Sequence, residues 1–184
     1  MDDRQRIVLY DERQLSLILD GMARRIAGLL GDRPELVIVG VLRRGAPLAD
    51  LLGERLQRLG INAVPRLDLQ VKRYADDLTL LFPETRLTES ATDAGVHLTG
   101  KSVLIVDDVL YRGHSLLRVV QYLALRGPAT IRSAILVDRS VSALPVHADV
   151  AGVTLQVAPG SIVEVHVPPY ETDFGIELVV PRPV

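Results

Sequence analysis

The chain has 184 residues, 48% of them apolar and 24% charged, enough to close one sizeable core and too few for two ordinary ones, so a single domain over 1–184 is expected. Cysteine is absent, which excludes disulfides, thiolate metal sites and cysteine nucleophiles. A formal net charge of −2 gives no global attraction to polyanions, so any phosphate has to be gripped by a local cluster; aromatics at 4% with no Trp argue against a surface of base-stacking rings. No stretch is long and apolar enough for a membrane span, and the start MDDRQRIVLYDER is too charged for a signal peptide, which makes the cytoplasm the expected compartment.

Leu15, Ile18, Leu19, Met22, Ile26 and Leu29 recur at helical spacing after Asp11 and Glu12, and Gly31 and Pro34 follow, which predicts an opening amphipathic helix. Glu35–Val41 (ELVIVGV) is a short β-branched run of the kind that forms a strand buried on both faces. A second helix is expected from about Pro47 to Leu59, with Pro47 in the first turn where its missing N–H costs nothing. Ala63–Leu69 reads as a strand, and Lys72–Gly100 as a long polar connection, a length that in a compact domain signals function or mobility. Ser102–Val106 predicts another buried strand, Asp107–Ser115 a polar loop, Leu116–Arg126 a helix and Ile131–Val137 a further strand. Beyond it, Pro145, Pro159, Pro168 and Pro169 punctuate short apolar pieces around 153–157, 162–167 and 176–180.

Strands alternating with helices imply an α/β fold, a mostly parallel sheet flanked by helices on both faces. Ligands of such sheets bind beyond the carboxyl ends of the strands. The most informative segment at such an end is Val103–Ser115, VLIVDDVLYRGHS. An apolar run delivers two adjacent carboxylates, Asp107 and Asp108, and a loop with Gly113 and Ser115 then enters a helix, whose first N–H groups form an anion pocket. Carboxylates repel a phosphate, so they serve hydroxyls or positive charge beside it, and a phosphorylated sugar satisfies both halves. An isolated Asp-Asp after a strand can also merely cap a turn, with Ser115 as an N-cap. Arg43-Arg44 alone is equally compatible with a solvated strand end, since the chain holds 19 arginines against two lysines.

As a whole, VLIVDDVLYRGHS resembles the phosphoribosyl-diphosphate signature of the type I phosphoribosyltransferases, and within them the bifunctional pyrimidine operon attenuators with uracil phosphoribosyltransferase activity. IVGVLRRGAPLADLL (38–52) resembles that family's strand, diphosphate loop and helix, LDLQVKRYADDL (67–78) its flexible catalytic loop, and AILVDRSVSALPVHADVAG (134–152) its base-pocket segment. The resemblance is poor over the last thirty residues, and a small irregular base-covering region is expected beside the main sheet.

The resemblance implies transfer of a phosphoribosyl group from phosphoribosyl diphosphate to uracil, with a role in regulating pyrimidine genes. In it Asp107 and Asp108 hold the ribose hydroxyls and offset charge as C1 becomes oxocarbenium-like. Tyr111, Arg112, Gly113, His114 and Ser115 form the 5-phosphate loop. Arg43, Arg44 and Gly45 meet the diphosphate, which arrives as a Mg²⁺ complex with few protein ligands. Arg73, Tyr74 and Asp76, with Lys72 and Asp77, lie on the loop that closes over the substrate. Val137, Asp138 and Arg139 line the site for uracil, or for the uracil ring of UMP. Related proteins form dimers, so a homo-oligomer is expected.

Three departures from the family pattern bear on function. The phosphate loop usually runs hydroxyl residue, Gly, Arg, Thr or Ser; here it is Arg112, Gly113, His114, Ser115, and the cation at 114 becomes titratable near neutral pH. Ala75 stands where the flexible loop usually has Arg. The attenuators' RNA-binding basic residues are replaced by Ser16, Leu17, Asp20 and Gly21, then by Val141, Ser142, Ala143 and His147, while residues 1–30 balance five Arg against five acids. Such a face forms few phosphate contacts. A competing reading is therefore a non-catalytic regulator that senses a nucleotide or phosphoribosyl diphosphate and acts on pyr mRNA or a protein partner. None of the four histidines, at 97, 114, 147 and 166, has ligand spacing, and no G-x-S-x-G, G-x-G-x-x-G or P-loop is present.

Overall fold

The computed structural model describes residues 4–31, 35–61, 63–72, 86–89 and 95–181. In chain order these form β1 (Arg4–Tyr10), α1 (Glu12–Leu30), β2 (Leu36–Leu42), α2 (Gly45–Arg58), β3 (Ala63–Lys72), β4 (Arg86–Glu89), β5 (Ser102–Leu110), α3 (His114–Ala124), β6 (Thr130–Asp138), β7 (Val150–Thr154), β8 (Ile162–His166) and β9 (Gly175–Pro181).

The main sheet has the order β4-β3-β2-β5-β6-β7, with β3, β2, β5, β6 and β7 parallel and β4 antiparallel on the edge. Side-chain alternation along its central strands assigns the helices to faces. Leu36 and Ile38 of β2 and Leu104 and Val106 of β5 pack against Leu19, Met22 and Ile26 of α1 and Leu48, Leu52 and Leu56 of α2. Their neighbours Val37, Val39, Val103 and Ile105 face the other way, onto Leu116, Val119 and Leu123 of α3. Both faces are thus covered, as the continuous apolar runs predict.

α1 starts at a capping box: Gln14 N–H donates to Asp11 Oδ1 (2.8 Å) and Asp11 N–H donates to Gln14 Oε1 (3.0 Å). It is tied to α2 by Arg55, which donates to Asp20 Oδ1 (2.8 Å) and Ser16 Oγ (3.0 Å). Among the described residues no helix is long and apolar enough to cross a membrane.

The structure differs from the sequence expectations at several places, and β3 running to Lys72 with β4 at 86–89 replaces part of the expected polar connection. β5 does not stop at Val106 but continues to Leu110, so Asp107 and Asp108 sit within a strand paired to β6 rather than in a loop. α2 begins at Gly45 and α3 at His114, each two residues earlier than expected. β1, absent from the sequence reading, pairs antiparallel with β9, which also pairs with β8. The last part of the chain is therefore built, with β1, into a three-stranded antiparallel sheet of order β1-β9-β8.

Candidate active site

The strand order places β3 on one side of β2 and β6 on the opposite side of β5, so the crevice between the carboxyl ends of β2 and β5 is the topological switch point of the sheet. Two loops border it: residues 43–44 from β2 into α2, and 111–113 from β5 into α3. Gly45 lets them approach, because a Cβ on it would lie 2.4 Å from the Val106 carbonyl oxygen and 3.2 Å from Asp107 Cα. The Leu42–Arg43 peptide in the first loop is cis.

Alternation along β5 sends the two carboxylates to opposite sides. Asp107 continues the face of Val103 and Ile105, toward α3, and lines a cavity of about 360 Å³ whose other walls include Tyr111, Arg112, Gly113, His114, Ser115 and Ile135. Asp108 continues the face of Leu104 and Val106, toward α2, and lies 3.9 Å from Arg44 Nη1 through Oδ2. Asp108 N–H donates to Asp107 Oδ1 (2.9 Å) and Val109 N–H to Asp108 Oδ1 (2.8 Å), which fixes both side chains. Burial first, and then the charge of Asp108, push the Asp107 carboxyl well above the usual carboxylate range. Burial also raises Asp108, against the lowering pull of its link to Asp107 and of Arg44. Two carboxylates so disfavoured as anions are held ready for hydroxyl donors or for developing positive charge.

Gly113 is the N-cap of α3 with φ 84°, a left-handed conformation that a side chain resists, and a Cβ there would come within 2.5 Å of Ser142 Oγ and Val146 Cγ2. His114, Ser115 and Leu116 of the first turn of α3 line the cavity, at the end of a helix that favours an anion. The loop carrying them is braced by segment 139–146: Arg139 N–H donates to the Leu110 carbonyl (3.0 Å), and Ala143 N–H to that of Arg112 (3.1 Å). At the mouth, the Tyr111 ring, 52% exposed, takes the guanidinium of Arg112 at 5.7 Å and that of Arg139 at 5.3 Å. Arg139 Nε also donates to the Leu155 carbonyl oxygen (3.2 Å).

The structure thus brings together Asp107, Asp108, Arg44, Gly45, Tyr111, Arg112, Gly113, His114, Ser115 and Arg139 around one crevice. Asp138 stands at the end of β6 with its carboxylate accepting from Ser140 N–H (2.7 Å). Val137 is 0% exposed and packed in the core, so its side chain offers a ligand no surface. Arg73, Tyr74 and Asp76, with Ala75 and Asp77, lie outside the described residues.

Two residues at this crevice carry no sequence signal. Arg44 Nη2 donates to Glu171 Oε1 at 2.6 Å and Nε to its two oxygens at 3.1 and 3.2 Å, while Arg43 lies over the Tyr170 ring at 5.6 Å. Glu171 and Tyr170 belong to the connection from β8 to β9, a stretch that reads as undifferentiated polar sequence. On the small sheet, Glu164, His166 and Glu177 place ligand-type atoms within 4.8 Å of one another across two strands, which linear spacing does not reveal. Arg6 Nη1 stands between the two glutamates, at 2.6 and 3.0 Å.

A family model for the phosphoribosyl transferase domain matches residues 9–172. Proteins called bifunctional protein PyrR from Gloeothece citriformis and Chloroflexus aurantiacus are 32% and 34% identical to this chain over 95% and 99% of it, and over 98% and 97% of their own lengths. Among solved structures, the hypoxanthine phosphoribosyltransferase of Trypanosoma cruzi in complex with the product IMP has a TM-score of 0.75 at 21% identity, covering 100% of this chain and 93% of that one. A hypoxanthine phosphoribosyltransferase from Staphylococcus aureus has a TM-score of 0.69 at 21% identity over 84% of this chain and 79% of its own. These structures attest the fold. With a domain match over most of its length and relatives above 30% identity along nearly all of it, the chain belongs to the phosphoribosyltransferase domain family, alongside the PyrR proteins.

Proposed function

We propose that this protein transfers the phosphoribosyl group of phosphoribosyl diphosphate to uracil, releasing diphosphate and forming UMP, a salvage reaction. The observation that carries the reading is the placement of two charge-disfavoured carboxylates at the switch point, one lining a cavity with the first residues of α3 and the other beside an arginine. The α3 start, from Arg112 to Ser115, takes the 5-phosphate; Asp107 and Asp108 accept hydrogen bonds from the ribose hydroxyls and stabilise positive charge at C1 as its bond to diphosphate lengthens. Arg44, with Arg43 and Gly45, receives the departing diphosphate, and Asp138 and Arg139 border the base. Arg73, Tyr74 and Asp76 are the residues to which the family resemblance assigns the exclusion of water from the substrate.

Mg²⁺ fits this site. Asp107 and Asp108 offer carboxylate oxygens whose anionic forms burial disfavours, as suits a hard cation that keeps several waters and is held mainly by the substrate's phosphates. Bound there, it supplies charge neutralisation of the diphosphate.

The PyrR name marks its bearers as bifunctional, and a regulatory role in pyrimidine gene expression is the natural second activity. RNA binding by the opening helix finds little support. Ser16 and Asp20, at positions where attenuators carry basic residues, are instead occupied with Arg55. The decisive experiment is a turnover assay with phosphoribosyl diphosphate, Mg²⁺ and a panel of purine and pyrimidine bases, beside a titration with UMP. UMP formation from uracil supports the enzyme. Tight UMP binding with no turnover of any base supports the sensing regulator, and leader-RNA titration and size-exclusion chromatography then test its partners.

A further inference from the structure

Both arginines that leave β2 are held by consecutive residues of the β8–β9 connection, Arg43 by Tyr170 and Arg44 by Glu171. The holding segment is itself fixed: Glu171 Oε2 accepts from Val167 N–H (2.8 Å), and the N–H groups of Tyr170 and Glu171 donate back to the Val167 carbonyl (3.1 and 3.3 Å). Burial pushes the Glu171 carboxyl up, but the hydrogen bonds from Arg44 and Val167 outweigh it and keep it below the usual carboxylate range. It is a rigid anion at neutral pH.

A guanidinium offers two forked edges. Glu171 occupies the Nε/Nη2 edge of Arg44 and leaves Nη1 on the side of Asp108, 3.9 Å from its Oδ2. Arg44 therefore stands between two carboxylates and is in direct contact with only one. We propose that Glu171 is a positioning residue, holding Arg44 off Asp108 so that its remaining edge meets the substrate's diphosphate while Asp108 stays open to the ribose hydroxyls. Without Glu171, the nearest anion for Arg44 is Asp108, and about 1 Å of movement closes a direct ion pair. That pair removes a phosphate donor and a hydroxyl acceptor in one step.

The inference rests on the phosphoribosyl transfer reading, and its test separates the two. Glu171→Gln keeps the shape and an acceptor for Val167 N–H but loses the charge that binds Arg44. Steady-state kinetics with phosphoribosyl diphosphate and base varied in turn are expected to show KM for phosphoribosyl diphosphate raised about tenfold, the size of one lost charge-assisted contact, with KM for the base unchanged. Calorimetric titration with Mg²⁺ and inorganic diphosphate is expected to show the same weakening, and Glu171→Asp to recover part of it. The melting temperature checks that the variants are folded, and the proposal requires the loss in variants that melt with the wild type. Unchanged binding overturns it. Tighter diphosphate binding also overturns it, by showing that Glu171 competes for Arg44 instead of positioning it. If the wild type turns over no base yet diphosphate binding weakens in Glu171→Gln, the transferase reading fails and the role of Glu171 stands; if the wild type binds no diphosphate, both fail.

Discussion

Replacing Gly45 by Ala tests how closely the site is built. The new Cβ would fall 2.4 Å from the Val106 carbonyl oxygen and 3.2 Å from Asp107 Cα, both backbone atoms of a central strand that cannot turn aside as a flexible side chain can. Ordinary contact requires the α2 start to withdraw from β5 by nearly 1 Å. Overpacking of this kind costs about 1–3 kcal/mol, and at about 2 kcal/mol the melting temperature of a domain this size falls by about 6 °C. The same withdrawal moves Arg44, the residue before Gly45, away from Asp108, so affinity for phosphoribosyl diphosphate falls as well. Gly21→Ala provides the control of opposite sign. Gly21 lies inside α1 with nothing within 4 Å of where an added methyl would sit, so Ala there should stabilise by about 0.5–1 kcal/mol through helix propensity alone. Urea titration and differential scanning calorimetry of both variants measure the difference. A Gly45→Ala protein as stable as Gly21→Ala, with undiminished ligand affinity, would refute the close approach of α2 to β5.

Asp107→Asn should lower turnover by about 10²-fold or more by removing charge aimed at the transition state. It should nevertheless raise stability at neutral pH. Burial and Asp108 lift the folded-state pKa of Asp107 above its unfolded value, so stability is lost as pH rises from the unfolded value through the folded one, and the Asn variant escapes that loss. The gain should grow as pH rises through the folded value and vanish below the unfolded value of about 4, which denaturation at several pH values will show. Arg112→Thr is expected to weaken ribose 5-phosphate binding about tenfold by removing a cation at the cavity wall, read by calorimetry; an increase would mark Arg112 as an obstruction to the pocket. Arg55→Ala should cost about 1 kcal/mol by breaking the Asp20 and Ser16 contacts, a modest figure because Asp20 is partly exposed, and should leave phosphoribosyl diphosphate affinity unchanged.

The main sheet is legible in the sequence because strands buried on both faces carry near-continuous apolar runs, as LVIVGV, VLIV and AILV do. The β5–α3 part of the site is legible for a related reason: strand, carboxylates, glycine and helix start are contiguous in the chain, so their order is already their geometry. The strand's true end is not legible. Asp107 and Asp108 look like loop residues by composition, yet β5 stays paired to β6 through Leu110 because the neighbouring strand supplies the hydrogen bonds whatever the side chains. Val137 departs from expectation in the opposite direction, since proximity to the base pocket along the chain says nothing about which face of β6 an apolar side chain takes, and it takes the core.

The last thirty residues are the least readable and carry the most unexpected contacts. Their strands are short and half exposed, and their partner is the opposite end of the chain, with Arg4 beside Pro181 and Val8 beside Glu177. No local periodicity can announce a pairing between termini, because the hydrogen bonds that stabilise it come from residues more than a hundred positions away. The same distance hides Glu171 from Arg44. A diphosphate loop recognised only by its own residues, Arg43, Arg44 and Gly45, looks like two free cations at a strand end. Its chemistry is set by what the antiparallel sheet brings over it: an aromatic ring for one arginine and a fixed carboxylate for the other. If this loop receives the diphosphate as proposed, changes in the tail act on the phosphate site directly. Under the proposed reading, a substitution that shifts the β8–β9 turn is expected to change which edge of Arg44 is left for the substrate, although no signature residue has changed.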